Sequence, residues 1–403
     1  MSLTVRCGAG APHGTVNRVI DTTQPADAHD RPPAPRPLPR GGTGERRSGT
    51  GERHGGTGER HGGTGERHGP LARLRRGPLA FLNRGPAGRR LRRGLLAACA
   101  AAALAVPVTG AARPEAVSAP VPPRLAPLRA VTAASLAERY AATRGAVEAA
   151  MRAATAAGHR WRAAMLRAMA DPARHFLTFD GRDGGRTAEV FGDLATADRI
   201  AVIVPGSGTG LDTYGLLRGG SMRLQRALGG RAAVVAWLGY RPPSVVSLQA
   251  LTPGRADEAV PALRAFVRDL ARLRPAARIG LLCHSYGSVL CGRAAPGLDV
   301  ADIILCGSPG AGVDDVAAMR TRAAVWAGRA TGDWVADLPH AAVRLPFGTL
   351  GLGEDPLNPR FGARVFAAGD GGHSDYLDDG SPALANIARI LSGHAPTGVS
   401  HAS

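Results

Sequence analysis

Residues 279–288 read Ile279-Gly280-Leu281-Leu282-Cys283-His284-Ser285-Tyr286-Gly287-Ser288. A short apolar run, the pattern of a strand buried on both faces, passes through a small turn into a helical segment. A serine at such a junction is held on a sharp turn with its hydroxyl exposed at the carboxyl edge of a sheet, the setting of an activated nucleophile. The tightness of the turn demands small neighbours. Gly287 meets that demand, and Cys283 stands where the Gly-x-Ser-x-Gly pattern has its first glycine. Taken alone, the segment also fits an ordinary strand-to-helix turn with Ser285 as a cap.

The surrounding chain favours the first reading. Strands are expected at 187–191, 200–204, 233–237, 303–306 and 323–327, with a weaker one at 365–368. Residues 257–273 form an amphipathic helix on the spacing of Val260, Leu263, Val267 and Leu270. Residues 133–172 are rich in Ala, Leu, Met and Arg and read as helical, up to the stop at Asp171-Pro172. Apolar strands alternating with helices define an α/β fold with a mostly parallel, doubly wound sheet covered on both faces, preceded by N-terminal helices.

A serine nucleophile needs a base to take its proton and an acid to orient that base. In folds built around such an elbow, acid and base follow the serine in that order. Asp333 lies just past the strand that begins at Ala323, and His373 lies in Gly371-Gly372-His373-Ser374-Asp375-Tyr376 after the next weak strand. Ser285, Asp333 and His373 are therefore the expected catalytic set, with Asp337 and Asp375 as competing acids. His284 should point away from the reaction and serve a structural role. The developing oxyanion needs donors as well. One should be the backbone N–H of Tyr286, the other that of Ser207 or Gly208 in the loop Val204-Pro205-Gly206-Ser207-Gly208-Thr209-Gly210.

These motifs resemble the α/β-hydrolase superfamily from about residue 175 to residue 395. Four segments, 191–198, 204–208, 284–288 and 372–376, are similar to an actinobacterial branch known mainly as a domain of unknown function. Members of that branch often carry helices ahead of the sheet. The resemblance implies the fold and a Ser-Asp-His triad, and it names no substrate. Only about 16 residues separate Cys306 from Ala323, so no large cap fits there. The pocket walls are expected from residues 133–172 and the Tyr240–Gly254 loop, where Tyr240, Arg241 and Leu251 are candidates.

Composition bounds the rest. All 50 basic residues are Arg, and the formal net charge is +18. The excess is concentrated at the start, with 18 Arg against seven acidic residues over 1–111 and 32 against 25 over 112–403. The later part also has too few aromatics for a base-stacking platform, so nucleic acid is not an expected partner. Residues 1–69 form a low-complexity tail with a seven-residue repeat marked by Thr43, Thr50, Thr57 and Thr64, and they lack any apolar seam. Residues 70–112 have the form of an export signal, with Arg84, Arg89, Arg90, Arg92 and Arg93 before the apolar stretch Gly94–Ala112 and small residues at its end. No Met lies between Met1 and Met151, and a downstream start codon is expected to account for a signal this far from residue 1.

The remaining division is a Pro/Ala-rich linker over 113–132, a helical segment over 133–172, the α/β domain over 173–395 and a tail over 396–403. The expected location is secreted or bound to the cell envelope, with no stable membrane span after processing; the alternative is an anchor formed by an uncleaved 94–112. No cofactor or zinc-ligand spacing is present. Cys283, Cys291 and Cys306 are expected as buried free thiols, with one disulfide the alternative. The expected activity is hydrolysis of a carboxylic ester or related acyl bond on a small-molecule or lipid-like substrate. The alternative is an inactive binding module of the same fold.

Overall fold

The computed structural model describes residues 119–346 and 348–397. The tail at 1–69, the export-signal segment at 70–112 and the end of the chain from 398 lie outside the described residues. Eight strands form one sheet: β1 (His175–Asp180), β2 (Arg186–Phe191), β3 (Arg199–Val204), β4 (Ala232–Leu238), β5 (Arg278–His284), β6 (Asp302–Cys306), β7 (Ala324–Gly328) and β10 (Arg364–Val365). Their order is β1-β2-β4-β3-β5-β6-β7-β10. β1 pairs antiparallel with β2, and β2 antiparallel with β4; every other pairing is parallel.

The parallel strands are continuous apolar runs because both faces are covered, and their side chains alternate between two cores. Val202, Val204, Leu281, Cys283, Ile303 and Leu305 face one core. There they meet Leu263, Val267 and Leu270 of α4 (Gly254–Leu273) and Val289 and Leu290 of α5 (Gly287–Ala294). Ala201, Ile203, Leu282, Ile304 and Cys306 face the other. Leu224 and Leu228 of α3 (Tyr214–Leu228) and Ile387 and Leu391 of α6 (Pro382–Leu391) close that side.

Two helices precede the sheet where the sequence reads as one helical stretch: α1 (Ala133–Ala156) and α2 (Arg160–Met169). Gly158, at φ 75°, breaks the helix between them. α1 starts in a capping box in which Thr132 Oγ1 accepts from Ser135 N–H and Ser135 Oγ accepts from Thr132 N–H. Such a cap contributes about 1 kcal/mol. Val147, Leu166 and Met169 pack on Phe176, Phe179 and Tyr214 over the antiparallel edge. Arg174 clamps this edge with two bonds, at 2.7 and 2.8 Å, to the buried Glu189 of β2. Breaking one half of such a buried pair costs about 3–5 kcal/mol.

The expected strand at 365–368 shrinks to Arg364–Val365. A hairpin of β8 (Ala342–Leu345) and β9 (Gly348–Gly351) is inserted between β7 and β10, where no element was expected. The expectation of free thiols is corrected for two of the three cysteines. Cys283 and Cys291 form a disulfide, and among the described residues only Cys306 is free, and it is buried. Cys283 lies one residue before the end of β5, and one turn inside α5 brings Cys291 back beneath it. Cys306 faces the opposite core and is excluded from that partnership.

Candidate active site

β3 and β5 are neighbours, with Val204 opposite Cys283. The loop after β3 and the turn after β5 therefore emerge side by side at the carboxyl edge, where open α/β sheets place ligands. Ser285 forms that second turn with φ at 54°, a left-handed conformation that costs a non-glycine residue about 1–3 kcal/mol. Its surroundings hold it there. Ser285 N–H donates to Cys306 O at 2.9 Å, Ser288 N–H donates to Ser285 O at 2.9 Å, and Ser288 Oγ donates to Cys283 O at 3.1 Å. The disulfide ties the strand below the turn to the helix above it. Cys283 thus fills the first glycine position of the pattern with a side chain that points into the core and is covalently fixed there.

Two glycines are required by close approach. A Cβ on Gly287 would lie 2.4 Å from Val204 O and 2.8 Å from Pro205 O, and one on Gly206 would lie 2.5 Å from Ser285 Cβ. The loop after β3 is thereby pressed against the serine.

His373 Nδ1 faces both carboxylate oxygens of Asp333, at 2.9 and 3.0 Å. Opposite a carboxylate, Nδ1 carries the proton, which leaves Nε2 free to accept one. Asp333 is buried and ends the segment after β7, where its Oδ1 accepts from Val335 N–H at 2.9 Å. Its Oδ2 accepts from Tyr376 Oη at 2.5 Å. Burial alone would raise this carboxyl, but the bonds from His373, Tyr376 and Val335 outweigh it and hold the group down at about 2. Gly307, at φ 54°, leaves room for the pair: a Cβ there would lie 2.7 Å from Asp333 Oδ2 and 3.1 Å from His373 Nδ1. The competing acids stand elsewhere. Asp337 is exposed, and the exposed Asp375 accepts from Gly372 N–H at 2.7 Å within its own loop.

His284 departs from its expected orientation. Rather than turning away, its Nε2–H donates to the carbonyl of His373 at 2.7 Å, and the two rings lie 4.7 Å apart. This contact joins the serine turn to the histidine loop. Burial, then the neighbouring His373, push His284 down to about 4, so at neutral pH it is an uncharged donor. Trp334 lies across the other side of His373, with ring centroids 4.8 Å apart.

Of the expected oxyanion donors, Gly208 is corrected: its N–H is spent on Pro243 O at 2.9 Å. Ser207 and Tyr286 remain, on the two adjacent loops. Tyr240 is corrected as a lining residue, because it is buried and donates from its phenol to Pro205 O at 2.6 Å. Sequence reading assigned no role to Tyr376 or Trp334. Each reaches across the pair: Tyr376, three positions after His373, bonds to Asp333, and Trp334, one after Asp333, lies against His373. Among the described residues, no group of three or more His, Cys, Asp or Glu side chains could hold a metal ion.

The sheet order, the strained serine between a parallel strand and a helix, and the histidine–carboxylate pair from later loops bring nucleophile-type, base-type and acid-type side chains to the carboxyl edge of a mostly parallel α/β sheet. Residues 180–343 match the model of a family described as alpha/beta hydrolase. Two proteins of Mycobacterium tuberculosis, Uncharacterized protein MT2140 (strain CDC 1551 / Oshkosh) and Uncharacterized protein Rv2079 (strain ATCC 25618 / H37Rv), are similar to this chain. Each is 31% identical over 252 residues, a match covering 54% of this chain and 38% of the relative. The chain thus aligns with well under half the length of these curated relatives. Among solved structures, esterase LipW from Mycobacterium marinum is 15% identical with a TM-score of 0.35, covering 65% of this chain and 91% of LipW. XC6422 from Xanthomonas campestris, described as a serine hydrolase without a lid, is 16% identical with a TM-score of 0.33, covering 55% of this chain and 92% of XC6422.

Proposed function

We propose that this protein is an exported serine hydrolase that cleaves carboxylic esters through Ser285, His373 and Asp333. The observation that carries the reading is the His373–Asp333 pair, whose loop is bonded to His284, the residue before a serine in a strained left-handed turn. In this reading Ser285 Oγ attacks the ester carbonyl carbon while His373 Nε2 takes its proton. The carbonyl oxygen becomes an oxyanion that accepts from the N–H groups of Tyr286 and Ser207. Collapse breaks the bond to the leaving alcohol, which departs with the proton from His373 and leaves an acyl-serine. Water then attacks the acyl carbon, His373 takes a proton from it, and the acid is released as Ser285 regains its hydrogen. Each oxyanion donor lowers the barrier by roughly 3–4 kcal/mol.

Export is supported by the signal-like pattern at 70–112 and by the Cys283–Cys291 bond, which belongs to an oxidising compartment. No helix among the described residues is long and apolar enough to cross a membrane. The test is fluorophosphonate labelling of the full chain, with the adduct located by mass spectrometry. The expected result is modification at Ser285. A folded chain that takes no label is a hydrolase fold reused for binding.

A further inference from the structure

We infer that the loop joining β4 to α4 is the acyl-binding wall of this site, which fits it to esters of apolar carboxylic acids. The inference rests on Ser285 being the nucleophile. Three bonds tie the loop to the residues around that serine. Tyr240 Oη donates to Pro205 O at 2.6 Å, Gly208 N–H donates to Pro243 O at 2.9 Å, and Tyr286 Oη donates to Thr252 O at 2.7 Å. Ala256 N–H adds a fourth contact to Tyr286 Oη at 3.3 Å. The loop is thus anchored at both ends to the oxyanion loop and to the residue after the nucleophile.

Between the anchors, the loop presents apolar side chains to solvent. Val245 is 58% exposed, Val246 94%, Leu248 52% and Leu251 49%. Only ten large apolar side chains are exposed among the described residues, and these four come from seven consecutive positions. From residue 242 to residue 254 the chain carries no charge, although a fifth of its residues are charged overall. Val245 also reaches the oxyanion loop, since a Cβ on Gly208 would lie 3.0 Å from Val245 Cγ2. Exposed apolar groups clustered beside a reactive serine mark a surface that a ligand covers.

The chemistry decides which part of the ester lies there. The leaving oxygen must receive its proton from His373, so the alcohol lies on the side of that ring and of Trp334. The acyl group extends the other way, past the Tyr286 and Ser207 donors, onto Val245, Val246, Leu248 and Leu251.

The experiment compares the rate at which Ser285 of the full chain is labelled by fluorophosphonates with an ethyl or an octyl group on phosphorus. That group occupies the acyl position, and fluoride is the leaving group in both. The octyl probe is expected to react about tenfold faster or more, what about two buried methylenes give. In Val246→Ser/Leu248→Ser the ratio of the octyl to the ethyl rate should fall to about one. Leu216→Ser, an exposed change on α3 outside that loop, should keep the advantage. Equal rates for the two probes, or an advantage that survives the double substitution, overturn the acyl wall alone. Absence of label from both probes in the folded parent overturns the nucleophile assignment on which it stands.

Discussion

Tyr376 donates its phenol proton to Asp333 Oδ2 across 2.5 Å, on the same carboxylate that faces His373 Nδ1. The tyrosine oxygen in turn accepts from Ala330 N–H at 3.2 Å. The acid is thus fixed from below by the strand that carries it and from the side by the loop that carries the base. Tyr376→Phe removes a bond to a charged group and leaves a buried N–H without its partner. Stability should fall by about 1.5–3 kcal/mol in chemical denaturation. If about 1 kcal/mol of that reaches the barrier, kcat falls about fivefold.

Asp333 and Asp375 are separable by the same substitution. Asp333→Asn reverses the donor required at His373 and should lower kcat on the order of 10⁴, the effect of the analogous change in a protease triad. Asp375→Asn disturbs only a loop bond to Gly372 and should leave turnover within a few-fold. Ester hydrolysis by the two variants, compared with the parent, checks both expectations.

The two shifted groups at the site act in different pH windows. Asp333 is held down at about 2 from 3.8, so its charged form is favoured by folding. Its contribution, about 2 kcal/mol, is complete above the unfolded value and is lost as pH falls through that value toward 2. His284 is pushed down to about 4 from 6.5, so the unfolded chain protonates first. Folding stability therefore declines as pH falls from 6.5 to 4. Denaturation of His284→Asn at pH 7.5 and 4.5 should show a smaller loss than the parent shows. An equal loss would place the pH dependence elsewhere.

Gly307 is where a single methyl group should separate activity from stability. Its left-handed φ of 54° makes alanine cost about 1–2 kcal/mol. The added Cβ would stand 2.7 Å from Asp333 Oδ2 and force the acid and base apart. Displacement of about 1 Å at such a pair costs roughly 10²-fold in rate. Gly307→Ala should therefore remain folded, by circular dichroism, while kcat falls by about that factor.

The central strands are legible because they are buried on both faces and read as unbroken apolar runs. β1 is not, since Phe176 and Leu177 are both buried and a register shift between Phe176 and Thr178 breaks the alternation. α3 is obscured by Gly219 and Gly220, residues that weaken a helical reading; a Cβ on Gly220 would press against Leu377, 2.9 Å away. α6 carries a readable start, Ser381 as cap with Pro382 behind it, and goes unassigned only because its signal is so short.

The proposed triad positions follow from chain order and strand ends, so Ser285, Asp333 and His373 can be proposed from the sequence. The bond from Gly208 to Pro243 and the one from Tyr240 to Pro205 cannot, because they join loops separated by 35 residues of chain. Cys283 and Cys291 are eight apart, a spacing that is silent until one residue is known to lie near the end of a strand and the other on the helix that folds back over it.

Arg278 and Arg293 bracket the serine turn, and no Arg or Lys lies between them. Trypsin therefore releases Ile279–Arg293 as one peptide that carries Ser285 together with both halves of the disulfide. The oxidised form is a closed ring, lighter than the reduced form by a pair of hydrogens. A single mass thus reports whether the serine has reacted and whether the bond beneath it was intact in the same molecule.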